Sequence, residues 1–326
     1  FSSRVCSRTA DCNPLPPICG RRVELLLQAA MSSTVSVAWD PIRTFKEMVS
    51  TGFRKAHLPL SSMVVAGVMS GLFLSHGVNT MVNILNGCGA SGPCKYLAGF
   101  GFSCGLYFIL CMGTELYTGN CLLFLAVLSR RIYWYEMVKD WVVIWCSNLL
   151  GCILAELVLF AGGNFGMAGS LTASGEIYCS IAAQKAGLPG HQIFFRAISA
   201  NILVCLAVLI VSAAKSMEGK FFGVAIPISA FIVSGFEHSI ANMCIFSMAT
   251  LLDCGGPAHG WYWLNVFLAT VGNTVGACIL CLSAWVTFIQ HSELQLKEVP
   301  HPTMDDTRRL PVSVDMPVGP AAPAEP

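Results

Sequence analysis

Two short stretches put ionisable side chains inside otherwise apolar runs. GTELYTGN at 113–120 carries Glu115, and GFEHSIAN at 235–242 carries Glu237 beside His238. An ionisable group within a membrane span costs a few kcal/mol, so a functional use is the default reading. Imidazole exchanges protons near neutral pH, which makes His238 the candidate for moving a proton. The alternative for His238 is a neutral ring that only ties the chain together. Glu115 and Glu237 read as carboxylates that satisfy loose backbone amides rather than as proton carriers. The chain shows no Ser–His–Asp ordering, no phosphate-binding glycine loop and no metal-ligand pairing of cysteine with histidine. An enzyme is therefore not expected, nor a cofactor or metal.

The solvent of these stretches follows from composition. The 326 residues are 55% hydrophobic and 11% charged, with a mean hydropathy of +0.65. A soluble domain carries about 25% charge, so lipid must cover much of this surface. A net charge of +1 gives no basic face for a nucleic-acid backbone, and no nucleic-acid partner is expected. Of the 16 cysteines, Cys104, Cys111, Cys146, Cys152, Cys205, Cys278 and Cys281 sit singly in apolar runs, where thiols act as small hydrophobes. Cys88 and Cys94 in NGCGASGPCK could form a disulfide if their loop is extracellular, or stand as two free thiols.

The apolar segments run at about 60–86, 95–129, 134–161, 192–214, 221–252 and 261–289, against roughly 20 residues for one crossing. The second and fifth are too long, and each is interrupted by one of the two polar stretches. Both interruptions read G-x-E-x-x-x-x-N, offset by 122 residues. NLLG at 148–151 and NTVG at 273–276 repeat N-x-x-G with an offset of 125. Near-equal offsets predict a three-helix unit used twice. Three crossings is an odd number, so the second copy lies upside down. The expected fold is an all-α membrane protein of six spans, a 3+3 inverted repeat with broken second and fifth helices meeting near the midplane, which is the sequence pointer to a transport site. Pro227 should loosen the fifth span further. Gly113, Gly119 and Gly235 would permit the unusual dihedrals of the breaks. Asn120 and Asn242 would cap the second half-helices. Half-helix N-termini would offer positive charge to an anion.

Positive charge orients the spans. Arg54 and Lys55, Arg130 and Arg131, and Lys215 and Lys220 fall on one side, while the alternate loops hold little beyond Lys95 and Lys185. Both termini should be cytoplasmic, in a multi-pass protein of a plasma membrane. Residues 1–40 read as a disordered or non-native extension, 41–292 as the six-helix domain, and 293–326 as a disordered cytoplasmic tail. ASGEIYCSIAAQKAG should form a short surface helix outside. Trp134, Trp141, Trp261, Tyr262 and Trp263 fall near span ends as interfacial aromatics do. His76 reads as a hydrogen-bonding residue of the bundle, and His57, His191 and His259 as interface residues.

GTELYTGN and SGFEHSIANM, with six spans, strongly resemble the formate/nitrite transporter family over roughly residues 40–290. The resemblance implies an aquaporin-like protomer, a homopentamer with one pore per protomer, and passage of small monovalent anions or their acids: formate, nitrite, hydrosulfide, acetate or lactate. By that resemblance His238 matches the central pore histidine, and Leu116 and Thr118 match the loop facing it. Phe102 and Leu106 in GFSCGL match hydrophobic constriction residues, joined by Phe231 from AFIVSGFEH. Asn201 in ANILVC matches an asparagine bonded near the histidine, with Val204 beside it. Lys185 falls at the place of an outer-vestibule lysine, and Lys55 in RKAHLPL matches a K-A-x-x-P element at the inner mouth. Tyr117 stands where many members have Phe.

The function expected is proton-coupled movement of small monocarboxylates, chiefly formate or lactate, crossing the constrictions as neutral acid. The alternatives are a pH-gated anion channel and, from another class, a neutral-solute or water channel.

Overall fold

The computed structural model describes residues 38–255 and 260–289. The expectations for the N-terminal extension before residue 38, for the tail and for His259 fall outside those residues. Helix α1 (Pro41–Ala56) opens on Asp40, whose carboxylate accepts the Arg43 amide at 3.0 Å, with Pro41 at the first helical position. Four uninterrupted spans follow the expected pattern: α2 (Leu60–Cys88), α6 (Trp134–Ala161), α8 (Gly190–Ala213) and α11 (Gly260–Ala284), the last continued by a π-helical turn over Trp285–Ile289. The second span is split into α3 (Gly92–Met112) and the short helices α4 (Tyr117–Asn120) and α5 (Leu123–Leu128). The fifth is split into α9 (Met217–Val233) and α10 (Ser239–Leu251). Helix α9 runs through Pro227 without interruption; the break comes at residues 234–238.

The loop after α6 contains a small hairpin, β1 (Gly166–Met167) with β2 (Ser170–Leu171). It leads into the expected surface helix, α7 (Ala173–Ala186), capped by the Thr172 hydroxyl on the Gly175 amide. Helix α7 stands to α8 as α1 stands to α2. The repeated unit is therefore larger than three helices: a surface helix, an intact span, a broken span and a second intact span.

Packing obeys the same pseudo-symmetry. Helix α2 packs on α6 and α3, as α8 packs on α11 and α9. The α2–α6 crossing is a backbone contact: a Cβ on Gly151 would meet the Val68 carbonyl, and one on Gly71 the Asn148 carbonyl. In the second copy a Cβ on Gly276 would meet the Ile198 carbonyl. No side chain fits at these crossings, which accounts for the fourth position of each N-x-x-G. Large apolar residues remain exposed along the spans, among them Val65, Phe108, Val158 and Phe267, as a lipid-facing or subunit-facing surface requires.

The cysteines divide by position. Cys88 is bridged to Cys94 across the α2–α3 loop, and Cys179 of α7 to Cys254 after α10. The remaining nine described cysteines are free and lie within the broken or intact spans. Trp134, Trp261 and Trp263 are exposed, as expected of interfacial aromatics. Tyr262 instead stacks on Phe246 with ring centroids 4.4 Å apart. Trp141 turns inward and donates its indole N–H to the Asn120 carbonyl at 2.9 Å.

Candidate functional site

Each break is made the same way. Helix α3 ends on Gly113 with φ +67, and α9 ends ahead of Gly235 with φ +65. The amides of Thr114 and Phe236 fold back onto the carbonyls of Ile109 and Phe231, the reversed turn that a left-handed glycine permits. Gly119 does not share this task; it lies within α4 with ordinary backbone angles.

A buried asparagine from the neighbouring intact span then staples the gap. Asn148 donates to the Glu115 carbonyl (2.9 Å) and the Gly67 carbonyl (2.8 Å), and accepts the Tyr117 amide (2.9 Å). Asn273 donates to the Glu237 carbonyl (3.0 Å) and the Ala197 carbonyl (2.8 Å), and accepts the Ser239 amide (2.9 Å). Backbone groups freed at membrane depth must find such partners within the protein. This corrects the role given to the glutamates: asparagines of the N-x-x-G elements, not Glu115 and Glu237, satisfy the loose backbone.

The glutamates instead hold lysines. Lys55 donates to Glu115 Oε2 at 2.6 Å and to Asn120 Oδ1 at 2.8 Å. Lys185 donates to Glu237 Oε1 at 2.9 Å. Asn120 and Asn242 are not helix caps. Asn120 Nδ2 donates to Asp140 (2.9 Å), and Asn242 Nδ2 to Glu237 Oε2 and Asn265 Oδ1 (both 2.7 Å). The sequence carried a signal for this arrangement that the motif reading missed: K-A-x-L-P occurs at 55–59 and again at 185–189. The same five-residue element thus delivers each lysine to its glutamate.

Two cavities flank the breaks. One, of about 150 Å³, is lined by Lys55, Glu115, Leu106, Leu116, Asn120 and Ser212 among others. The other, of about 420 Å³, is lined by Lys95, Lys185, Arg196, Glu237, Phe102 and Phe231 among others. Lys95 and Arg196 add positive charge that the sequence reading did not place there. Between the cavities lies an apolar septum. Phe102, Leu106, Leu116, Val204 and Phe231 are each no more than 3% exposed. The Phe102 and Phe231 rings stand 6.1 Å apart, and Phe231 stands 6.0 Å from the His238 ring.

His238 sits inside this septum as the N-cap of α10. Its Nδ1 accepts the Ala241 amide at 3.1 Å, which leaves the ring proton of neutral imidazole on Nε2. Nε2 lies 2.9 Å from Thr118 Oγ1, so the imidazole donates to the threonine hydroxyl. Asn201 does not bond the ring. Its Nδ2 donates to the Thr118 and Asn273 carbonyls at 3.2 and 2.8 Å, and so ties the break of the second span to the intact helix α11. The amides of Tyr117, Ser239 and Ala241 are all engaged by Asn148, Asn273 and His238. The half-helix N-termini therefore offer less free N–H to an anion than the sequence suggested.

The peripheral histidines lie elsewhere. His76 is exposed on the protomer, with Nδ1 2.7 Å from its own Leu72 carbonyl. His57 pairs with Glu136 at 3.3 Å.

The arrangement is two charged vestibules divided by an apolar septum with one imidazole–hydroxyl pair, and its likeness to known proteins is extensive. The formate/nitrite transporter family model matches residues 42–287. A probable formate transporter of Methanothermobacter thermautotrophicus is 30% identical over 271 residues, spanning 77% of this chain and 97% of that protein. A solved FNT family ion channel superposes with a TM-score of 0.69 at 25% identity, over 75% of this chain and 98% of the other. A pentameric formate channel with formate bound superposes with a TM-score of 0.56 at 26% identity, over 77% of this chain and 99% of the other. With the family match covering both broken spans and both lysine–glutamate pairs, the chain belongs to the formate/nitrite transporter family.

Proposed function

We propose that this chain moves small monocarboxylates, formate or lactate first among them, together with protons, and that the substrate crosses the septum as the neutral acid. The observation that carries this reading is the septum itself: buried Phe102, Phe231, Leu106 and Leu116 separate two lysine-bearing cavities. Protonating a carboxylate with a pKa of about 3.9 at neutral pH costs about 4 kcal/mol. Carrying the bare anion into an apolar medium costs on the order of 20 kcal/mol by an idealised estimate. The neutral acid is the cheaper passenger by a wide margin.

The steps follow from the two cavities. Lys185, with Lys95 and Arg196, draws the anion into the larger vestibule; Lys55 does so on the other side. The proton reaches the substrate from water in the vestibule, or through His238, which can pass one on from Nε2 only once Nδ1 has released the Ala241 amide and taken up a proton in its place. His238 and Thr118 form the polar waist between the rings. Passage of acid as a whole is electroneutral and runs either way down the combined gradients.

Assembly as a homopentamer within a lipid bilayer is part of this reading, supported by the pentameric formate channel that the protomer resembles. So is the orientation. All four bridged cysteines lie in or beside the loops on the Lys185 side, and disulfides persist in oxidising compartments. With the positive-charge bias, this supports a Lys185 vestibule on the outside and a Lys55 vestibule facing the cytoplasm of a plasma-membrane protein. Uptake of labelled formate and lactate by vesicles across imposed pH steps tests the function. Uptake should rise with an inward proton gradient, and uptake indifferent to that gradient would defeat the coupling.

A further inference from the structure

One of the buried differences between the two repeats exchanges an amide for a carboxylate. Asn265 of α11 accepts the Asn242 side chain on Oδ1, and its Nδ2 donates to the Lys185 carbonyl at 3.0 Å. The counterpart on α6 is Asp140, which accepts the Asn120 side chain on Oδ1 at 2.9 Å. Asp140 is fully buried, and its Oδ2 has no hydrogen-bond partner among the described residues. A lone oxygen thus occupies the place where the other repeat has a donor. A proton on that oxygen would restore the missing donor.

The charges around Asp140 give the proton a consequence. From α1 and the break, Lys55 and Glu115 face the cluster through Asn120. On its own helix Lys139 reaches the Ala56 carbonyl at 3.5 Å, and Glu136 pairs with His57 about one turn below. Helix α11 brings no charged residue. Lys55, Glu115 and Asp140 sum to −1 with both carboxyls ionised, and to zero with one proton bound. The matching outer set, Lys185 with Glu237 and neutral Asn265, is balanced without any proton.

We propose that Asp140 is a proton-binding positioning residue behind the Lys55 vestibule: the proton held there frees the Lys55 ammonium to take up an anion, and its loss weakens that uptake. Asp140 acts through Asn120 and Lys55 and does not touch the substrate. By linkage, the anion in turn strengthens proton binding by the same factor. The proposal rests on the reading that substrate enters the vestibule as an anion, and it makes the inner mouth a better acceptor of acid anions when its own side is acidic.

Asp140→Asn tests it, because Asn265 shows that the fold accommodates an amide in this setting. Half-saturating formate at the Lys55 face would be measured in inside-out vesicles at several lumen-independent bath pH values. In the wild type it should fall about fivefold between alkaline and acidic bath, the low end of typical coupling between two sites. In the variant it should change less than about twofold, with maximal rate and gradient-driven uptake largely retained. The reciprocal Asn265→Asp variant should acquire the same dependence at the Lys185 face. Infrared difference spectra of the purified protein should show a protonated-carboxyl band on acidification that Asp140→Asn lacks. A variant that keeps the wild-type dependence while uptake remains proton-driven overturns the proposal and leaves the transport reading standing. An unchanged carboxyl band in the variant overturns it equally. Uptake by the wild type that ignores proton gradients altogether overturns both.

Discussion

Replacing Asn273 by alanine removes the staple of the fifth-span break and leaves nothing to take its place. The Ser239 amide loses an acceptor at 2.9 Å and the Glu237 carbonyl a donor at 3.0 Å, both in a region shut off from water. The Ala197 carbonyl lies within α8 and keeps its helical bond, so it adds little. A buried polar group stripped of its partner costs about 1–3 kcal/mol, so the two together cost about 2–6 kcal/mol. For a chain of this size that corresponds to a fall in melting temperature on the order of 10 °C. The measurement is thermal unfolding of the detergent-solubilised protein, paired with formate uptake. Asn148→Ala strips the Tyr117 amide and the Glu115 carbonyl in the same way. Its loss should match that of Asn273→Ala to within about 1 kcal/mol if the repeats are energetically alike. Wild-type melting and uptake in Asn273→Ala would show that the break is held by something other than this side chain, and the staple argument would fall.

Other consequences follow from the same geometry. Lys185→Met leaves Glu237, only 2% exposed at its side chain, as an unpaired buried carboxylate. Breaking such a pair costs about 3–5 kcal/mol, so uptake should collapse in Lys185→Met and partly return in the double variant with Glu237→Gln. Phe231→Ala removes one of the two rings at 6.1 Å; water should enter the septum and formate should begin to carry current, whereas a silent variant would show that the ring is not the barrier. His238→Asn should lose proton-driven uptake, and full coupling in that variant would exclude the imidazole as an obligatory proton carrier. A membrane-impermeant maleimide applied to intact cells should label Cys88, Cys94, Cys179 and Cys254 only after reduction. Labelling before reduction would contradict the bridges, and labelling only from the cytoplasmic side would reverse the orientation.

Much of this architecture was legible because the repeat is written twice. G-x-E-x-x-x-x-N and N-x-x-G recur with nearly one offset, and the odd number of crossings forces inversion. What the motifs did not disclose was who bonds whom. Glutamate beside a break reads as a partner for loose amides, yet Asn148 and Asn273 reach those amides from the next span, 31 and 34 residues on, and the carboxylates turn to Lys55 and Lys185. Asparagine at the end of each motif reads as a cap, yet the capping atom at the fifth break is His238 Nδ1. The K-A-x-L-P recurrence is visible in the letters, but one copy lies before the first span and the other in the connection between the third and fourth, outside the apolar runs that carry the repeat. Asp140, one turn after Glu136 at the start of a span, looks in the letters like a second interfacial charge; the contrast with Asn265 is what singles it out. Cys179 and Cys254 are separated by 75 residues, and no local spacing pairs them. Phe102, Leu106, Phe231 and Val204 came from family resemblance alone, because apolar residues fill every span and composition cannot tell a pore-facing ring from a lipid-facing one.

The central claim is that the passenger crosses the Phe102–Phe231 septum without charge. The direct measurement is labelled formate flux under voltage clamp, with internal and external pH fixed independently. The account predicts flux that is proportional to the neutral acid, accompanied by one proton per formate, and unaccompanied by current at any holding voltage. A formate current that follows voltage and survives when the pH gradient is abolished would contradict it.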